Sequence, residues 1–270
     1  MSALKMDTEL SIILSLTRRL PVVRGMKLIA AYLAKWYLRK PRREVESTVL
    51  GYQMFLNPHE LVERELLFWP QLFDWREISF LKNTLKPGDV FLDLGSNVGG
   101  YSLAMASAVG ESGRVVSVDA DPYSATRLQS VISANGIKQV RVVNVGLADR
   151  KASELTFTPQ ICGNRGGGSF LTPHNEASIR VECITLTGLL ARYPEICSIR
   201  AAKLDLEGFE YRVLMSFFGE QRQTLWPKVL LVERGAALLP QAGGDVNELI
   251  AGKGYRLAFA HGENFLWELR

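Results

Sequence analysis

From Gly88 to the C-terminus the chain alternates short apolar runs with helical stretches, and this alternation restricts the fold more than any other feature. VFLDLG, RVVSVDAD, VRVVNVGLAD, AAKLDLEG and KVLLVERG read as strands; YSLAMASAV, PYSATRLQSVISANG, FEYRVLMSFF and VNELIAGKG read as helices. Near-continuous apolar strands separated by helices call for a mostly parallel sheet covered on both faces. The last two runs, YRLAFA and FLWELR, flank His261, Gly262, Glu263 and Asn264 and predict a hairpin that adds an antiparallel strand. With 47% hydrophobic and 22% charged residues over 270 positions, the chain has ample material for a core, which excludes a disordered polymer. Its 23 Gly and 11 Pro follow no period, which excludes collagen-like sequence.

The N-terminal region differs in charge. Residues 1–50 hold ten Lys/Arg and four Asp/Glu, net +6; the other 220 hold 22 and 24, net −2. The pI of about 9.0 therefore belongs to the arm. The body lacks the spread basic surface of a nucleic-acid binder, and no nucleic-acid partner is expected. Residues 8–40 predict two helices separated near Pro21: Ile12, Ile13, Leu16 and Leu20 recur at helical spacing, then Met26, Ile29, Ala30, Leu33, Trp36 and Tyr37. Packing on the body, packing on a second subunit and contact with an anionic membrane surface all remain open for this arm, with packing preferred. Its longest apolar run, Leu28 to Ala34, is far short of the roughly 20 residues needed to cross a bilayer. The division expected is an arm at 1–47 and one large domain at 48–270. Residues 45–57 predict a hairpin. Residues 60–86 predict an amphipathic helical stretch that offers Trp69, Phe73, Trp75 and Phe80 for burial or for a lid.

Cys162, Cys183 and Cys197 contain no C-x-x-C pair, and His59, His174 and His261 lie far apart. No metal motif can be read from this spacing, and three cysteines fit a reducing, cytoplasmic setting better than a disulfide framework. No secretory signal is expected at the N-terminus.

The chemical content concentrates at strand ends. In VFLDLGSNVGGYS (90–102), Asp93 lies at the end of the first strand, and Gly95, Gly99 and Gly100 shape the turn into the helix. Glycine suits places where backbone must approach a ligand or take positive φ, and the following helix offers free N–H groups. The spacing is D-x-G-x-x-x-G rather than the dinucleotide G-x-G-x-x-G, which disfavours a nicotinamide oxidoreductase. S-adenosylmethionine has no phosphate to cradle, and an acid such as Asp93 helps to place its ammonium. Asp119, at the tip of the next strand, is positioned to accept hydrogen bonds from ribose hydroxyls. Asp121 reads as a cap for the helix opening at Pro122. Gly146 and Leu147 are candidates to lie on the adenine. Asp205 and Glu207 end the KLDLEG strand at the sheet edge where ligands bind in open α/β folds; they are the candidates to position and deprotonate a substrate hydroxyl. Asp205 also fits a helix cap, and Glu207 and Glu210 fit first-turn acids. Glu233 fits either a substrate contact or an ion pair with Arg234. The glycine-rich loop from Cys162 to Ser169, with Arg165, fits a lid or a linker, and His174 fits a surface residue.

LKPGDVFLDLGSNVGGYSL (85–103), VSVDADP, NVGLAD and KLDLEGFEYRVL together resemble the FkbM family of S-adenosylmethionine-dependent methyltransferases over roughly residues 48–235. The resemblance implies the class I methyltransferase fold, a Rossmann-like, seven-stranded, mostly parallel sheet with helices on both faces. It implies O-methylation of hydroxyls on sugars, polysaccharides or secondary metabolites, with S-adenosylmethionine as cofactor. Asp93, Gly95, Asn97 and Gly99 match the family's cofactor loop, Asp119 its ribose-binding acid, and Asp205, Glu207, Gly208 and Glu210 its L-D-x-E-G-x-E segment. One departure is that Thr185, Leu186, Thr187 and Gly188 stand where the family often carries an aspartate pair. The competing classes are a nucleic-acid or protein methyltransferase and a non-catalytic binding protein on the same fold.

Overall fold

The structure is a computed structural model. It describes residues 8–23, 25–150, 152–160, 163–171, 173–234 and 243–270. Cys162, which opens the glycine-rich loop considered above, lies outside the described residues.

The N-terminal segment forms helices α1 (Thr8–Thr17) and α2 (Met26–Tyr37), then the hairpin β1 (Val45–Val49) and β2 (Tyr52–Leu56). Leu50 and Gly51 both take positive φ, the backbone that a two-residue hairpin turn requires. The predicted helical stretch 60–86 is broken into α3 (Leu61–Phe68), a single 3-10 turn at Pro70–Leu72 and α4 (Trp75–Thr84). Pro70 lacks the N–H that would continue α3, and Asp74 takes φ 36° just before α4. Trp69 and Phe73 are buried, Phe80 packs on Phe259, and Trp75 is exposed.

The body continues as β3 (Val90–Leu94), α5 (Gly100–Val109), β4 (Arg114–Asp119), α6 (Pro122–Asn135), β5 (Val140–Asn144), β6 (Gly146–Leu147), β7 (Ala152–Phe157), β8 (Ile179–Ile184) and α7 (Leu186–Leu190). It ends with β9 (Ala201–Leu204), α8 (Glu210–Glu220), β10 (Val229–Glu233), α9 (Val246–Gly252), β11 (Tyr255–His261) and β12 (Asn264–Leu269). The main sheet has seven strands in the order β11-β12-β10-β9-β3-β4-β5. β5, β4, β3, β9 and β10 are mutually parallel, while β12 runs antiparallel to both β10 and β11. A small sheet β6-β8-β7 sits beyond β5 in the chain.

Alternating residues of the central strands feed two cores. Phe91, Val115, Ala201 and Val229 pack on one face with α3, α5, α6 and the N-terminal helices. Leu92, Val116, Ala202 and Leu230 pack on the other with α7, α8 and α9. Leu10, Ile13, Leu14, Ala30, Ala34 and Tyr37 of α1 and α2 are part of the first core. Arg18 ties α1 to the body: its guanidinium donates to the Leu67 carbonyl at 2.7 and 2.9 Å, to the Thr48 carbonyl and to Ser47. The expected boundary between residues 47 and 48 falls inside strand β1.

Candidate functional site

Because β4, β3, β9 and β10 are parallel, their carboxyl ends meet at one edge, which brings Asp119, Asp205 and Glu233 around a shared space. The cavity there has a volume of about 310 Å³, at the lower end of the range of about 300–1,000 Å³ usual for small-molecule sites.

On one side the β3–α5 turn forms the wall. Gly95 has φ 84°, and a Cβ on it would stand 1.8 Å from the Asp205 carbonyl oxygen. Only glycine lets these two strand ends approach so closely. Asn97 is left-handed at φ 48°, which aims its backbone N–H at Asp119, 2.6 Å away. The other Asp119 oxygen accepts from the Asp121 N–H at 2.8 Å. Burial pushes the Asp119 carboxyl up to about 7 despite these two bonds. Val118, Val145 and Leu147 supply an apolar wall beside it. Asp121 caps α6, accepting from the Tyr123 N–H, as its position before Pro122 led one to expect. Its other oxygen takes the Arg165 guanidinium at 2.7 Å, which pins the glycine-rich loop over this side. Gly166 packs so closely on Asn97 that a Cβ would lie 2.3 Å from its side-chain nitrogen.

The opposite wall is acidic. Lys203, only 6% exposed, stands beside Asp93 in sheet register and reaches Asp205 at 2.9 Å. Burial opposes its charge, but Asp205 and Asp93 outweigh that and hold the ammonium above the ordinary lysine value. In return Lys203 overcomes the burial of Asp205 and keeps it below the usual carboxylate range. Glu233 faces Asp205, whose charge together with burial lifts it to about 10. The two carboxyls therefore titrate as a pair, Glu233 pushed up by the charge of Asp205 and Asp205 held down by Lys203. Glu207, at φ 50°, is raised to about 8 by burial and by the charges of Asp205 and Glu210.

Several alternatives left open by sequence are resolved by these contacts. Asp205 does not cap α8, whose first turn has no side-chain cap. Glu210 folds back to accept the Leu206 and Gly208 N–H groups, so it braces the turn. Arg234 pairs with Asp245 rather than Glu233. Thr185 caps α7 through the Gly188 N–H. Three expected site residues do not border the cavity. Asp93 is 1% exposed beneath the turn, where it accepts from Ser102. Gly99 lies against Leu128, and Gly146 against Phe170 and Cys183; neither has room for a Cβ. Lys203 and Tyr101, which passes within cation–π range of it, were missed; the signal was a lysine inside the otherwise apolar AAKL strand. Among the described residues no group of His, Cys, Asp or Glu is arranged to hold a metal ion.

The cavity suits an adenosine with a cationic tail. Asp119 retains lone pairs toward a ribose, Val118 and Leu147 offer an apolar seat, and the buried Ser96 hydroxyl has no partner. The opposite wall holds an excess of carboxyls for positive charge.

This strand order, with its one antiparallel strand next to the edge, defines the class I methyltransferase fold. The model of the FkbM methyltransferase domain matches residues 93–257, and the chain belongs to this family. The matched region is a methyltransferase domain, and S-adenosylmethionine is the cofactor that its cavity suits. Among curated proteins, a stretch of 89 residues is 32% identical to the ribosomal RNA large subunit methyltransferase E of Wigglesworthia glossinidia brevipalpis. That stretch is 32% of this chain and spans 44%, less than half, of the relative. Among solved structures, a SAM-dependent methyltransferase of Aquifex aeolicus aligns with TM-score 0.39 and 15% identity over 73% of this chain and 87% of its own. Aeropyrum pernix fibrillarin, solved with natively bound S-adenosyl-L-methionine, aligns with TM-score 0.40 and 12% identity over 72% and 73%.

Proposed function

We propose that this methyltransferase acts on a hydroxyl of a sugar, polysaccharide or secondary metabolite. The observation that carries the reading is the convergence of Asp205, Glu207 and Glu233 on the cavity wall opposite Asp119. An alcohol is a weak nucleophile, and its transfer is helped when a positioned base takes the proton as the new bond forms. S-adenosylmethionine supplies a methyl already activated by its sulfonium. The protein's part is then alignment, water exclusion and the proton.

In this reading Asp119 holds the ribose, and Gly95 with Asn97 shapes the backbone around the cofactor's tail. Asp93 acts from below through Lys203. Gly99 and Gly146 admit their packed neighbours, and Leu147 lies along the adenine. Asp205, kept ionised by Lys203, accepts the hydroxyl proton. Glu207, largely protonated at pH 7, donates a hydrogen bond to the acceptor and so orients it. The test is Asp205→Asn, with labelled-methyl transfer to a panel of hydroxyl-bearing glycans and metabolites. Turnover should fall by about 10²–10⁴ while cofactor affinity, read by calorimetry, stays within a few-fold. Near-normal turnover would remove Asp205 from the chemistry.

A nucleic-acid acceptor is the second reading, supported by the ribosomal RNA methyltransferase among the relatives. It sets a phosphate backbone against a cavity edge crowded with carboxyls, which is electrostatically unfavourable. Ribosomal RNA fragments belong in the same acceptor panel, and methyl transfer to RNA alone would replace the first reading with the second.

A further inference from the structure

The N-terminal helices bury one face and expose another that is also apolar. Ala30, Ala34 and Tyr37 of α2 are in the core, yet Leu28 and Tyr32, on the outer side, are 76% and 67% exposed, with Ile29 and Trp36 beside them. On α1, Ile12 and Leu16 repeat the pattern one turn apart, and Val22 and Val23 at the tip between the helices are exposed too. Of the thirteen large hydrophobic side chains exposed among the described residues, eight fall between Ile12 and Trp36. Scattered exposed hydrophobes are ordinary; such a concentration marks an interaction surface.

Charge identifies what covers it. Arg19, Lys35, Arg39, Lys40 and Arg43 are exposed around these apolar residues, on a region whose net charge is +6. Glu9, the acid of α1, is already paired with Arg42, and Lys27 is paired with Glu65. A second copy docking through the same face would set one basic patch against another, because a two-fold interface uses the same patch on both subunits. An anionic surface suits both halves of the pattern: aromatic and aliphatic side chains enter the interfacial layer while Lys and Arg meet the headgroups. No helix among the described residues is long and apolar enough to cross a membrane, so α1 and α2 would lie along it.

We propose that the outer face of the α1–α2 hairpin is a docking surface for an anionic membrane. The Lys27–Glu65 pair, at 2.9 Å, joins α2 to the residue of α3 that borders the cavity, so docking would fix the orientation of the cavity mouth toward the bilayer. The experiment is co-sedimentation of the full chain with phosphatidylglycerol-containing and pure phosphatidylcholine vesicles at low and high salt, beside sedimentation velocity without lipid. Capture is expected on the anionic vesicles only, weakening as salt rises. The double variant Leu28→Glu/Tyr32→Glu should lose capture at least tenfold while binding S-adenosylmethionine as the parent does, which shows that it is folded. Lys35→Gln, which removes one positive charge, should cost about fivefold in partitioning by itself. Equal capture by neutral vesicles would overturn the proposal. So would a lipid-free dimer that the double variant dissociates, with no capture by either vesicle.

Discussion

Lys203→Met is the sharpest test of how the site is held together. The side chain is 8% exposed and sits between Asp93, itself 1% exposed with one oxygen lacking a partner, and Asp205 at 2.9 Å. Methionine fills a similar volume, so little of the effect comes from a cavity. What is lost is the cation that pairs with the part-buried Asp205 and offsets the charge of the buried Asp93. Removing one partner of a buried ion pair costs about 3–5 kcal/mol, a large part of the roughly 5–15 kcal/mol that holds a domain folded. The sign with pH follows from the direction of the shift. Asp205 lies below its unfolded value, so its contribution is present above the ordinary carboxylate range and lost as pH falls through it. The variant should therefore be destabilised most near pH 7.5, and the gap to the parent should narrow only as pH is lowered to about 3, under the ordinary carboxylate value, where Asp205 begins to take a proton and needs no cation. Urea denaturation at both pH values measures this. Adding Asp93→Asn should recover part of the loss, a coupling expected only if the two residues interact directly. A loss under about 1 kcal/mol at pH 7.5, or one that does not change with pH, would refute the argument that the lysine is the counter-ion of this wall.

Asp119→Ala should weaken S-adenosylmethionine binding by about 1.5–3 kcal/mol, which is roughly a 10- to 150-fold rise in Kd by calorimetry; unchanged affinity in a folded variant would take Asp119 out of the site. Gly95→Ala places a methyl 1.8 Å from the Asp205 carbonyl on a left-handed backbone, so it should abolish cofactor binding or folding, and a variant with parental melting temperature and affinity would contradict the close approach. Glu207 stands near 8 and donates only while protonated, so turnover should fall as pH rises through about 8; Glu207→Gln keeps a donor and should flatten that limb in a pH–rate profile.

The strand and helix order from Gly88 onward was legible because each apolar run was short, flanked by glycine or acid, and followed by a helix of different period. The antiparallel hairpin at β11 and β12 was legible for the same reason: its turn residues stand between two alternating runs. The acids at the strand tips could be found because a carboxylate ending an apolar run has few reasons to be there. Which of those acids face the cavity could not be read, because it depends on distances across the sheet. Asp93 and Asp205 look alike in sequence, yet one lies under the turn and the other on the cavity wall. Their relation depends on Lys203, which pairs with Asp93 across β3 and β9, more than a hundred positions apart in sequence. Glu210 and Glu207 were equally ambiguous until the backbone at Glu207 took positive φ and turned one side chain outward while the other braced the turn.

The raised values at this edge have two causes: burial lifts Asp119 and Glu207 first, the charges of Asp205 and Glu210 add to the shift of Glu207, and the charge of Asp205 leads that of Glu233. Such an edge is costly for a chain that keeps it empty and favourable for one that binds a cation there. S-adenosylmethionine carries a sulfonium and an ammonium against a single carboxylate, so its binding relieves the crowding, and loss of the sulfonium charge on methyl transfer restores it. The same acids that would orient an acceptor hydroxyl thereby favour the methylated cofactor over its demethylated product. A basic or neutral edge would lack that preference. The proposal that Asp205 takes the proton rests on the same wall, where that positive charge would arrive and then leave.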